Sequence, residues 1–146
     1  MNNALRTPED YELYLYTIKE KFPSILHFTL TFVRRGSSLA RVAGELHFDN
    51  QIRLVVRERI IFDRFPAIID WYGYEVWQED KKLYWYDSQP HPDDPELQNT
   101  HPHHKHIPPD IKHNRIPAPE MSFTHPNLEK LINEIELMQK IPKNQT

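Results

Sequence analysis

The sequence predicts an α+β fold: an N-terminal helix, an antiparallel β-meander of about five strands, a long Pro/His-rich loop, and a C-terminal helix packed on one face of the sheet. Three observations carry this reading. Apolar residues recur at helical spacing near the start, switch to alternation from Ile25, and return to helical spacing after Pro126. The 146 residues fit a single domain over 1–146, long enough to bury a core.

The first helix is predicted from about Pro8 to Phe22. Thr7 is its N-cap candidate, Pro8 suits the first helical position, and Glu9 and Asp10 complement the positive end of the helix dipole. Tyr11, Tyr14, Leu15, Ile18 and Phe22 form the stripe, and Pro23-Ser24 ends it. In the strand that follows, Leu26, Phe28, Leu30 and Phe32 face one way. After Arg34-Arg35-Gly36-Ser37-Ser38, a second strand sets Val42, Gly44, Leu46 and Phe48 against Arg41, Ala43, Glu45 and His47. Asp49-Asn50-Gln51 is a hairpin turn. The next strand puts Ile52, Leu54, Val56, Ile60 and Phe62 on one face and Arg53, Arg57 and Arg59 on the other. Two aromatic strands, about Ile68–Trp77 and Leu83–Tyr86, complete the meander.

Between Pro90 and Pro126 lie nine of the thirteen prolines and seven of the nine histidines, with no glycine. Proline removes amide donors, so this span is predicted to be a functional loop without regular structure. The closing helix runs from about Pro126 to Lys140, with Leu128, Leu131, Ile132, Ile135 and Met138 on its stripe and Thr124 as its cap.

Composition removes several classes of function. There is no cysteine, hence no disulfide framework, thiol nucleophile or Cys-ligated metal site. The apolar runs are too short to span a bilayer. The N-terminus lacks a signal peptide's basic start and apolar stretch, so a cytoplasmic protein without membrane contact is expected. P-loop, GxGxxG, GxSxG and EF-hand patterns are absent, as is HExxH. The net charge of −3 argues neither for nor against nucleic acid.

The candidate chemistry lies in His101-Pro102-His103-His104-Lys105-His106, with His91, Asp93, Asp94 and Glu96 upstream and His113 downstream. Imidazole titrates near working pH, so a pair can serve as general base and general acid, and a lysine among them can hold a phosphate. These are the parts for RNA cleavage without metal. One imidazole takes the 2′-hydroxyl proton, another protonates the departing 5′-oxygen, and a cation supports the phosphorane. Neutral imidazoles with carboxylates also suit a divalent metal, and an exposed histidine-rich loop with no role is the third alternative.

Seven of the nine arginines lie between Arg34 and Arg64. Arg41, Arg53, Arg57 and Arg59 oppose the apolar set, and form either an RNA-binding surface or a solvated face laced with ion pairs. Three tryptophans and four tyrosines in the aromatic strands form either a base-stacking platform or ordinary packing. Glu58 interrupts an apolar face and must bury a carboxylate; Tyr72 and Tyr74 are its candidate partners.

Tyr72-Gly73-Tyr74, Leu83-Tyr84-Trp85-Tyr86-Asp87, Pro90-His91, Pro95-Glu96-Leu97 and Pro102-His103-His104-Lys105-His106 together resemble the TumE family of prokaryotic toxins, over about Arg53 to the end. The chain departs from that pattern at Glu75, Ser88, Gln89, the Pro92-Asp93-Asp94 insertion and His101. The resemblance implies a toxin of a type II-like toxin–antitoxin pair, neutralised by a cognate antitoxin from an adjacent gene.

Combined with the residue chemistry, the favoured reading is a metal-independent endoribonuclease. His103 and His106 are the expected acid–base pair, Lys105 the phosphate stabiliser, and His104 or His91 an orienter. Alternation along an extended chain instead favours His104 with His106, or His103 with Lys105, as same-side pairs. Tyr74, Glu58, Asp87 and Glu96 are expected in support. No cofactor is expected, with a divalent metal at the histidines as the alternative. The other reading is a non-catalytic module that binds RNA or protein, and a homodimer is left open.

Overall fold

The computed structural model describes residues 3–140. Over these residues eight strands form one antiparallel sheet: β1 (His27–Phe28), β2 (Thr31–Arg35), β3 (Leu39–His47), β4 (Ile52–Ile61), β5 (Ile68–Gln78), β6 (Lys81–Asp87), β7 (His104–His106) and β8 (Arg115–Pro117). Their order is β1-β3-β4-β5-β6-β7-β8, and β2 also pairs with β3. Three helices accompany them: α1 (Pro8–Tyr16), α2 (Ile18–Lys21) and α3 (Leu128–Gln139). The fold is α+β, with more strands than the sequence pattern predicts.

The start of α1 follows its capping residues. Thr7 Oγ1 accepts a hydrogen bond from the Asp10 amide at 3.0 Å, with Pro8 in the first turn. The predicted single helix to Phe22 instead breaks at Thr17, which leaves helical geometry at ψ 13° while its hydroxyl donates to the Leu13 carbonyl at 2.7 Å.

The first predicted strand is also divided, and Gly44 explains where. Its φ is +144°, and a Cβ there would lie 2.5 Å from the Thr29 carbonyl oxygen. The chain therefore runs close against β3 at Thr29–Leu30, and β1 and β2 continue one register along the same edge of β3 before and after that point. Leu30 and Phe32 are buried as predicted, but Leu26, ahead of that close approach, is 48% exposed.

α1 and α3 lie over the same face of the sheet. Val42, Leu54, Val56, Ile60, Tyr72, Tyr74 and Val76 form its buried surface, with Leu128, Leu131, Ile132 and Ile135 of α3 packed into the same core. Full burial of each such aliphatic side chain contributes about 1.5–3 kcal/mol. Thr124 does not cap α3. The helix begins after Asn127, whose side chain turns back, accepting from the Ser122 amide at 2.9 Å and donating to the Tyr74 hydroxyl at 3.1 Å.

The largest difference from the sequence reading lies in Pro90–Pro126. This span carries a 3-10 turn (Pro95–Thr100) and two strands rather than an irregular loop. His104-Lys105-His106 is itself free of proline, so its amides join the ladder, pairing with Asp87, Tyr86 and Trp85 respectively. Pro117 falls on β8, the last strand of the sheet, where proline is tolerated. Among the described residues, no helix is long and apolar enough to cross a membrane.

Candidate functional site

Strand alternation decides which histidines meet. On β7, His104 and His106 project from the sheet face opposite α1 and α3, beside Asp87 and Trp85 of β6, whereas Lys105 projects to the helix-covered face. Both imidazoles are buried. His104 Nε2 lies 2.9 Å from Asp87 Oδ1, and His106 Nε2 lies 3.3 Å from Asp87 Oδ2. The two Nε2 atoms are 3.1 Å apart.

The other ring nitrogens are committed to carbonyl oxygens. His104 Nδ1 donates to the Pro102 carbonyl at 3.0 Å, and His106 Nδ1 donates to the Ile111 carbonyl at 2.8 Å. A carbonyl cannot supply a proton, so both Nδ1 atoms carry theirs, and the Nε2 atoms present lone pairs when the rings are neutral. Trp85 stacks on His106 with centroids 3.8 Å apart, and its Nε1 donates to Asp87 Oδ2 at 2.8 Å. Burial pushes the Asp87 carboxyl up, but hydrogen bonds from His104 and His106, which donate from Nε2 when the rings are protonated, and from Trp85 outweigh it and hold the carboxyl well below the usual carboxylate range.

A cleft of about 280 Å³ opens over this cluster, lined by Trp85, Asp87, Gln89, His91, His106, Lys112, His113 and Arg115. The His91 ring meets His104 edge-on at 4.8 Å, and Arg115 Nη1 lies 2.8 Å from His91 Nδ1. Burial, then the charges of Arg115 and His104, lower the His91 pKa. At the rim, His113 Nδ1 bonds the Asp110 carboxylate at 3.1 Å, leaving its Nε2 outward.

The family model described as Toxin TumE matches residues 15–139. The chain belongs to the TumE toxin family. No curated protein and no solved structure matches it. The matched span includes all eight strands and the whole Asp87–His104–His106 cluster. Family membership makes the chain the toxin component of a toxin–antitoxin system, with an antitoxin as partner.

Within this TumE chain, several residues predicted for one site are separated. His103 points to the helix-covered face, where the Tyr72 hydroxyl lies 2.6 Å from its Nδ1 and Phe123 packs on its ring. Burial, and then His104, lower its pKa. Lys105 lies against Tyr84 and Tyr86, with its Nζ 3.5 Å from Glu134. Neither the His103/His106 pairing nor Lys105 beside the imidazoles is realised, because neighbouring strand residues face opposite ways. Of the same-side pairs, His104 with His106 is the one whose members touch.

Glu58 is buried, as its position on an apolar face requires, but its partners are Tyr11 at 2.6 Å and Tyr74 at 2.5 Å rather than Tyr72. It belongs to the core, as does Tyr74. Glu96 is exposed on the 3-10 turn, its amide bonded to Asp94.

Arg41, Arg53, Arg57 and Arg59 do share the open face with the cluster, since β4 pairs Arg57 with Gly73, which in turn pairs with Asp87 and then His104. Two of them are already engaged. Arg59 Nε lies 2.7 Å from Asp70, and Arg53 donates to the Glu79 carbonyl at 2.6 Å and covers Trp77. Arg41 and Arg57 are exposed and make no ion pair among the described residues. Sequence reasoning missed Arg115 and Asp110, named His113 only as a flank of the cluster and Trp85 only among the aromatic strands, and gave Asp87 only a supporting part. Alternation through Trp85-Tyr86-Asp87, extended to a partner strand at His104–His106, was the available signal for Trp85 and Asp87.

Proposed function

We propose that this toxin cleaves RNA at the cleft above Asp87, His104 and His106. One observation supports the reading above others: the paired Nε2 atoms and their carboxylate lie on the same sheet row as Arg57, with only Gly73 between. Adjacent strands lie about 4.8 Å apart, so a chain of phosphates can rest on Arg57 while one phosphodiester reaches the imidazoles.

The chemistry follows from the groups in the cleft. The 2′-oxygen attacks phosphorus as its proton passes to an imidazole, and the bond to the 5′-oxygen breaks. The products are a 2′,3′-cyclic phosphate and a free 5′-hydroxyl. His113 is suited to take the proton, because Asp110 fixes Nδ1–H and leaves Nε2 outward. Arg115 and Lys112 supply positive charge at the same rim. His104 and His106 stand too close together to flank a phosphorus from opposite sides, so they act as one centre. Protonated, that centre gives its proton to the departing 5′-oxygen; holding a metal ion instead, it would stabilise the charge on that oxygen while water supplied the proton, and in either case the proton taken by His113 returns to solvent.

The test is incubation of purified, untagged protein with single-stranded RNA, with the ends of the products identified. Cyclic phosphate and 5′-hydroxyl ends are expected, together with loss of cleavage and of growth arrest in the folded His104→Ala, His106→Ala double variant. Cleavage at the parental rate in that variant refutes the reading. Protection of RNA with no cleavage points instead to a binding module.

A further inference from the structure

We infer that Asp87, His104 and His106 form a binding site for a divalent first-row transition metal. The ion would occupy the active centre of the RNA-cleaving reading above, so it rests on that reading for its role, although the ligand geometry stands without it.

Three acceptor groups converge here. Both Nδ1–H groups are used on the carbonyls of Pro102 and Ile111, so neutral His104 and His106 aim two lone pairs at each other across 3.1 Å. Both also face the Asp87 carboxylate, at 2.9 and 3.3 Å. A single proton can bridge one of these three contacts at a time, whereas a metal ion satisfies all three.

The spacing fits a coordination sphere. With ligand bonds of about 2.0–2.1 Å, neighbouring donors lie about 2.9 Å apart in an octahedron and about 3.3 Å apart in a tetrahedron. The three observed separations fall across that interval. Four donor atoms therefore converge, His104 Nε2 facing Asp87 Oδ1 and His106 Nε2 facing Asp87 Oδ2, and the cleft above leaves the remaining positions of a coordination sphere open.

The surrounding bonds are those a metal site requires. Ligating histidines ordinarily donate their other ring N–H to a carbonyl or carboxylate, which fixes ring orientation, and both do so here. Trp85 holds Asp87 through Nε1 and His106 by stacking. Two imidazoles with one carboxylate select zinc, manganese, iron, cobalt or nickel over magnesium or calcium, which prefer oxygen alone.

The experiment uses the full, untagged chain, stripped with chelator and titrated with Zn²⁺ by calorimetry and with Co²⁺ by visible absorption. One ion per chain is expected, with affinity falling about 100-fold or more in His106→Ala and in Asp87→Ala, since even supporting partners of ligands are worth 10–100-fold. Because those variants can fold poorly, long-range ¹H–¹⁵N spectra of the wild-type rings give an independent readout. Zn²⁺ is expected to shift Nε2 of His104 and His106 while both Nδ1 atoms stay protonated. Substoichiometric binding, unchanged affinity in the His104→Ala, His106→Ala double variant, or shifts confined to other histidines would overturn the site. RNA cleavage that survives chelation in a chain binding no Zn²⁺ removes the metal and leaves the nuclease reading. One bound ion without RNA cleavage removes the nuclease reading and leaves the metal.

Discussion

Truncating Glu58 to alanine strips two buried tyrosines of their acceptor, and the cost follows from the structure. Tyr11 on α1 and Tyr74 on β5 are fully buried, and each donates its hydroxyl proton to one Glu58 oxygen. Tyr74 also accepts from Asn127, just ahead of α3, so the network ties both covering helices to the sheet behind the site. A buried donor left unpaired costs about 1–3 kcal/mol, so two give about 2–6 kcal/mol, and release of a desolvated carboxylate offsets part of this. We expect Glu58→Ala to lose about 3 kcal/mol, a large share of the roughly 5–15 kcal/mol typical of a domain. Glu58→Gln retains an acceptor and adds a donor, and its cost is expected to stay below about 1.5 kcal/mol.

Urea unfolding followed by tryptophan fluorescence measures both variants. Burial raises the Glu58 carboxyl above its ordinary 4.5, although the tyrosine hydrogen bonds oppose the rise. The folded chain therefore keeps a proton that the unfolded chain releases. The contribution of Glu58 to stability is therefore greatest below about pH 4.5, falls as pH rises through the folded value, and is flat above it. That slope is expected to vanish in Glu58→Gln. A loss under about 1 kcal/mol in Glu58→Ala would refute the claim that the tyrosines depend on this carboxylate.

Other perturbations separate structure from site. Gly44→Ala places a Cβ against the backbone of Thr29 and Leu30 at a positive φ and is expected to cost more than about 2 kcal/mol by thermal melting; Gly36→Ala, with φ +71° and nothing within 4 Å, should cost about 1 kcal/mol. Lys105→Met should leave growth arrest and RNA cleavage within about twofold of wild type, because Lys105 sits on the helix-covered face; a loss near that of His106→Ala would place it in the site after all. Arg57→Ala is expected to weaken single-stranded RNA binding and reduce the salt slope by about 0.7, whereas Arg59→Ala, already paired with Asp70, should do less.

Much of this architecture is legible in the sequence, for identifiable reasons. The alternation over Ile52–Phe62 is nearly unbroken because one face is buried along its length, so register and the arginine face follow from it directly. The helical stripe of α3 is equally plain. The Pro/His segment departs from its sequence pattern because proline counts over 37 residues dilute a three-residue strand that contains none. A strand of that length is fixed by its partner β6, not by its own propensity. The same dilution blurs the site: alternation pairs His104 with His106 and His103 with Lys105, but without the partner strand nothing in the sequence says which pair meets Asp87. The Tyr11–Glu58 contact spans 47 positions and left no local signal, although the buried carboxylate itself announced that a partner must exist.

The central claim is that Asp87, His104 and His106 form the centre that cleaves RNA. Its most direct test is the cleavage rate of single-stranded RNA by purified wild-type protein and by His106→Ala, with circular dichroism confirming that both are folded. Loss of an acid–base or ligand group at the reacting centre corresponds to at least about 100-fold in rate. The account predicts cleavage by wild type and a loss of that size in His106→Ala; equal rates in the two proteins, or no cleavage by either, would contradict it.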